Sequence, residues 1–193
     1  LMNLVNENKI KLHKKIKYYF DFKSGSQVQN LRIIDILTHQ SKLSPWIPFW
    51  TYFKDENNNL SNLVFSNTAS KKYNLKVANN LFFNSDYLDT IQDIILDYPL
   101  LDETSYKYSD LGFYLLDPIV DAFLLDGIHN YVHQNIYVPI DALRITYNPL
   151  EKRPLSSIVP TENDTYFRNQ VIHGYVHDQG ASLFGGIALH AGL

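Results

Sequence analysis

The chain of 193 residues contains no cysteine, which excludes disulfides and cysteine-ligated zinc sites and leaves cytosol and periplasm equally open. An excess of positive charge is missing as well. Seventeen Lys and Arg stand against 20 Asp and Glu, so the chain lacks the basic footprint of phosphate-backbone binding and no nucleic-acid partner is expected. No apolar run approaches the ~18 residues needed to cross a bilayer, so no membrane span is expected within the chain, and no signal peptide is visible. Internal repeats and low-complexity tracts are absent too.

What the chain does have is a globular composition, with 45% apolar residues, 14% of the chain being aromatic, over a length that suits one domain or a large piece of one. The opening "LMNLVNENKI" reads as the back half of an amphipathic helix, with Leu1, Leu4 and Val5 on one face. The closing "GGIALHAGL" has no polar tail, and both ends are expected to be cuts through a longer protein. Asn30 is expected to cap a helix over "LRIIDILTHQ". The prolines of "SKLSPWIPFW" then hold an extended aromatic loop. Residues 54–76, rich in Asn and Lys, read as an exposed excursion. A second helix over "YLDTIQDIILDY" carries the stripe Leu88, Ile91, Ile95 and has Asp86 as candidate cap. The next begins at Ser109 or Asp110 and runs through "LGFYLLDPIVDAF", with Pro118 expected to bend or divide it. A fourth covers "IHNYVHQNIYVPI"; beyond Asp141 the pattern is irregular, and the tail from Gly174 reads as loop with one short helix. The fold is expected to be mostly helical, with few strands.

Several patterns bear on chemistry. His129 and His133 lie four apart, the spacing by which two imidazoles share a metal, but Asn130 stands where a zincin carries glutamate. A solvated helix face is the expected reading. His173, His177, Asp178 and His190 form a looser set of candidate ligands, whose spacing matches no defined metal site; a metal-dependent hydrolase built on the His173–His190 cluster is one alternative function. Gly185 and Gly186 lack the strand and lysine of a phosphate loop. In "YKYSDLGFYLL", Ser109 and Asp110 sit where a helix begins, so capping competes with catalysis for this stretch.

That stretch has company. Ile36-Leu37-Thr38-His39-Gln40-Ser41-Lys42-Leu43, Tyr108-Ser109-Asp110 and "VHDQGASLFGGIALHAGL" occur in order. Together they resemble the serine beta-lactamase and penicillin-binding-protein superfamily, in which a helix ending Leu-Leu-Thr-His-x-Ser-Gly-Leu precedes a Tyr-x-Asn motif. "PTENDTYFR" and "VHDQGA" are similar to a subgroup of beta-lactamase-related serine hydrolase domains often joined to a family 3 glycoside hydrolase. The resemblance implies an α+β fold, of which residues 1–193 form a partial domain covering mainly the helical region. A Ser-x-x-Lys segment would precede Leu1 and a Lys/His-Thr-Gly segment would follow Leu193. It departs from the family pattern at Lys42 and Leu189, where glycine is usual, and at Asp110, where asparagine is usual.

The implied activity is that of a serine hydrolase of the cell envelope or periplasm. It would act through an acyl-enzyme on a cell-wall peptide, a beta-lactam or a simple ester, with no metal or organic cofactor, while residues 1–193 alone would be inactive. The family assigns proton relay to Tyr108. A phenol serves as base only if its ordinary pKa near ~10 is lowered, and ~3 units of lowering by a neighbouring ammonium takes roughly 4 kcal/mol. Asp110, an acceptor when ionised, would hold that ammonium. His39 would anchor its loop, and Trp46, His177 and Asp178 would line the substrate site, with Phe49 and Trp50 divided between cleft and core. A non-catalytic peptide- or cell-wall-binding module of the same fold is the competing function.

Overall fold

Leu111, Leu115 and Ile119 recur every fourth residue and none of the three is exposed, so one stripe of a helix must face an interior. In the computed structural model, which describes residues 1–22, 25–102 and 105–184, that helix is the longest. The chain divides into two compact units, Leu1–Ile47 with Thr90–Ile128 and Pro48–Asp89 with His129–Leu193.

In the first unit, α1 (Met2–Asn6) buries Leu4, and α2 (Ile33–Leu37) buries Ile33 and Ile36. α3 (Leu88–Asp97), which starts in the second unit, buries Ile91, Ile95 and Leu96. α4 (Leu111–Asp121) packs on α2, and Gly112 makes the approach possible, because a Cβ there would overlap Ile36 Cγ2. Two expectations are corrected here. α2 starts at Ile33 rather than after Asn30, and no side chain caps it. Its leading N–H groups are met instead by the carbonyls of Lys14 (from Ile33, 3.1 Å) and Leu12 (from Ile34, 2.8 Å), a tertiary solution to unpaired helix donors. α4 is not divided by Pro118, which lies inside it.

The second unit holds the strands. β1 (Phe65–Ser66), β2 (Tyr73–Ala78) and β3 (Leu81–Asn84) form an antiparallel sheet in the order β1-β3-β2. β2 and β3 are joined at Ala78↔Leu81 by a two-residue turn whose Asn80 is left-handed (φ 52°), a conformation asparagine tolerates. The excursion over 54–76 is mostly exposed, as expected, but it also supplies β1, most of β2 and the buried Val64 and Phe65. Phe65 meets Phe53, Phe83 and Phe167 at ring separations of 5.4–6.4 Å, an edge-on aromatic core. Asp86 lies in a short 3-10 turn, Ser85–Tyr87, which Asn84 caps instead. β4 (Pro160–Asp164) and β5 (Gln170–His173) make a separate hairpin. α5 (Gly127–Val132) runs into a π-turn, His133–Tyr137, and α6 (Gln179–Leu183) is the one short helix expected in the tail. No described helix is long and apolar enough to cross a membrane.

Candidate active site

The end of α2 sets the geometry. Gln40 N–H reaches back to Asp35 O (2.7 Å) and His39 N–H to Ile36 O (3.1 Å), the paired bonds of a Schellman motif. That motif puts His39 in the left-handed region (φ 54°), where glycine is the low-cost residue. The imidazole held at that position makes contacts that glycine could not. Its Nδ1 accepts the Ser109 N–H at 3.2 Å, and its carbonyl accepts the Lys107 N–H at 2.9 Å. Its ring lies 4.6 Å from the Tyr108 ring and 5.8 Å from Phe113. His39 thus grips the segment 107–109 by ring and backbone together.

The start of α4 completes the corner. Ser109, buried, donates its hydroxyl to Ser44 O (2.6 Å) and accepts the Leu111 N–H (3.3 Å), so capping is the role of Ser109. Asp110 occupies the N-cap position but makes no side-chain cap bond. Its Oδ1 instead accepts the Tyr108 hydroxyl at 2.8 Å, and its N–H is held by Pro45 O at 3.1 Å. Tyr108 is 54% exposed: its ring is braced on His39 and its oxygen is tied to a carboxylate. Trp46, which follows Pro45, is 56% exposed.

Tyr106 was not among the sequence candidates. It is 68% exposed and meets the His39 ring edge-on at 5.7 Å. The signal was available, since residues two apart in an extended segment share a face, and "YKY" places both phenols on the His39 side. Lys42 adopts φ 64°, the conformation that accounts for the family's preference for glycine there. It is held by Leu101 N–H on its carbonyl (2.8 Å) and by its own Nζ on Asp102 O (3.1 Å).

The grip of His39 gives a first prediction. His39→Gly relieves the left-handed strain while leaving the buried Ser109 N–H without its acceptor, terms of about 1–2 and 1–3 kcal/mol that largely cancel. The whole protein's melting temperature is expected to stay nearly constant while its turnover falls. His39→Asn, which tolerates the same φ and offers an acceptor, should restore part of the rate; a glycine variant with full turnover would contradict the assignment.

The remaining candidates belong to the second unit. Phe49 is buried and serves the interior, while Trp50, half-buried, stacks on Phe167 at 5.6 Å and donates its Nε1 to Gln179 Oε1 at 2.9 Å. Asp178 Oδ1 caps α6, accepting from Gly180 (2.8 Å) and Ala181 (3.2 Å) N–H. The His177 carbonyl accepts from Arg168 Nη2 (2.6 Å) and that of Val176 from Nη1 (2.6 Å). Arg168, fully buried, also pairs through Nε with Asp164 Oδ2 and through Nη2 with Glu162 Oε1, each at 2.7 Å. Burial by itself would raise the Asp164 carboxyl. The Phe167 N–H, the Arg168 guanidinium and the Tyr166 N–H outweigh it and hold Asp164 below the ordinary carboxylate value. His173 Nε2 contacts Ile158 O at 2.6 Å, and no group of three metal-ligating residues gathers among the described residues. His190, Gly185, Gly186 and Leu189 lie outside the described residues.

Short helices packed around a glycine contact, beside small antiparallel sheets, make up an α+β fold. A family model described as Beta-lactamase matches residues 1–174. The chain belongs to the beta-lactamase family. It is similar along its whole length to an N-acetylmuramyl-L-alanine amidase of Bacillus subtilis (strain 168), at 29% identity over 212 aligned positions and 43% of that protein. A putative D-alanyl-D-alanine carboxypeptidase of Salmonella agona (strain SL483) is 30% identical over 213 positions, again over the whole chain and 44% of the relative. The chain thus spans less than half the length of these curated relatives. Among solved structures, the octameric penicillin-binding protein homologue from Pyrococcus abyssi superposes with a TM-score of 0.54 over 97% of this chain and 40% of that one, at 16% identity, a likeness of fold.

Proposed function

We propose that the whole protein is a serine hydrolase of the cell envelope that cleaves the amide of a cell-wall peptide, or a related ester, through an acyl-enzyme. Residues 1–193 would contribute its Tyr-Ser-Asp corner, with the serine and a lysine supplied from outside them, and would be inactive alone. The carrying observation is Tyr108, a 54% exposed residue whose hydroxyl donates to Asp110 Oδ1 at 2.8 Å. The names amidase and carboxypeptidase borne by the relatives both denote amide hydrolysis and favour that substrate class. A glycoside hydrolase domain in the same polypeptide belongs to the same proposal.

In the proposed step the serine Oγ bonds to the carbonyl carbon while its proton passes to the oxygen of ionised Tyr108. On collapse of the tetrahedral centre Tyr108 returns that proton to the departing amine or alkoxide. A carboxylate beside the phenol opposes a second negative charge. The lysine ammonium must therefore lie within reach of both oxygens, which assigns Asp110 to holding it and Tyr108 in register. His39 fixes the ring that carries the oxygen, and Trp46 offers an apolar wall for the peptide.

The test is turnover of cell-wall peptide amides and p-nitrophenyl esters by the whole protein, before and after exhaustive chelation. Undiminished hydrolysis after chelation is expected. Activity that disappears with chelation and returns with zinc would favour the His173–His190 metal reading instead, and saturable peptide binding without cleavage would favour a binding module.

A further inference from the structure

His129 and His133 acquire different company in the folded chain. Together with Lys152 and Arg153 they line a cavity of about 520 Å³, open to solvent, in the second unit. No carboxylate is among its lining residues within the described part of the chain. The two full cations are aimed rather than loose. Thr146, buried, gives its hydroxyl proton to Tyr147 O (2.9 Å) and its lone pair to Lys152 Nζ (3.0 Å). Arg153 spends one of its N–H donors on Leu143 O at 2.9 Å. Both cations are therefore oriented by neutral oxygens, and their charge is not cancelled within the cavity wall. The His129 ring is fixed flat against Tyr147, 4.4 Å away at an interplanar angle of 14°.

We propose that this cavity is a binding site for a phosphate-bearing small molecule, a function separate from the Tyr108 corner and not dependent on it. The His129–His133 spacing alone suggests a divalent cation, but the ammonium of Lys152 and the guanidinium of Arg153 on the same wall repel one. The same ammonium and guanidinium attract an anion of more than one charge, the guanidinium fork and the ammonium meeting different oxygens of one phosphoryl group. The side chain of Leu143, on the same wall, offers apolar surface for the organic part of the ligand. A cavity of this size accommodates more than a bare ion.

The experiment is equilibrium dialysis of the whole protein at low salt against labelled pyrophosphate, with inorganic phosphate, citrate and zinc ion as parallel probes. Saturable pyrophosphate binding is expected, weakened at least ~tenfold in Lys152→Gln/Arg153→Gln, since both charge-assisted contacts to the phosphoryl oxygens are lost. Lys152→Arg should retain it, and an unchanged melting temperature would show that the double variant is folded. Uptake that does not saturate, equal binding by the double variant, citrate binding as tightly as pyrophosphate, or zinc binding that requires both histidines would each overturn the proposal.

Discussion

Replacing Arg168 with leucine is expected to cost the second unit about 3–5 kcal/mol of folding stability, the range for removing one partner of a buried ion pair. The guanidinium is fully buried and serves two carboxylates and two backbone carbonyls at 2.6–2.7 Å. Leucine fills part of the volume but strands the Asp164 carboxylate and leaves the carbonyls of Val176 and His177 without their donor. Against a total stability of about 5–15 kcal/mol, that loss should show as a large fall in the urea midpoint at pH 7. Its pH dependence follows from the depressed Asp164 carboxyl. A group that binds its proton less tightly when folded contributes stability in full above its unfolded value of about 3.9 and loses it as pH falls through the lower folded value. The gap between wild type and Arg168→Leu should therefore be widest near neutrality and shrink below pH ~4, where Asp164 is protonated and needs no cation. A gap independent of pH, or a midpoint shift of less than ~1 kcal/mol, would show that the ion pair does not hold the β4–β5 hairpin to the 176–178 segment.

Tyr108→Phe is expected to lower kcat by about 10²–10⁴-fold, the range for losing a positioned acid–base group. It should leave KM and the melting temperature nearly unchanged, because the ring stays on His39 and a half-exposed hydroxyl contributes within about 0.5 kcal/mol to folding. Asp110→Asn is the contrast. Its Oδ1 still accepts the phenol, so the corner keeps its shape while one negative charge is removed. The ascending limb of the pH–rate profile should then move to lower pH, with kcat within about tenfold of wild type. A Tyr108→Phe enzyme that turns over normally would remove the relay; an ascending limb displaced to higher pH in Asp110→Asn would show that holding the lysine outweighs repulsion of the phenolate.

How much of this was legible varied with the range of the interactions involved. α4 was readable because Leu111, Leu115 and Ile119 repeat at helical spacing, and the Tyr108-Ser109-Asp110 corner because it stands in order with the His39 segment. The start of α2 was not, because its capping partners are the carbonyls of Leu12 and Lys14, some twenty residues earlier. β1 and β3 have two and four residues, too short for alternation to register; the usable sign was "ANNL", whose asparagines make the β2–β3 turn. Asp164 and Arg168 have helical spacing but pair within the hairpin turn, so local pattern pointed the wrong way. Nor does sequence say that Asp110 turns its side chain to the phenol while Ser109 does the capping. Both residues favour caps, and the choice is made by Ser44 and Pro45 from another part of the chain.

The central claim is that the Tyr108 oxygen serves a serine nucleophile. Intact-mass kinetics of the whole protein with a fluorophosphonate or beta-lactam acylating agent test it most directly. One covalent adduct should form on a serine lying before residue 1, at least ~100-fold more slowly in Tyr108→Phe than in wild type. An adduct forming at equal rates in both proteins, or none in either, would contradict the account.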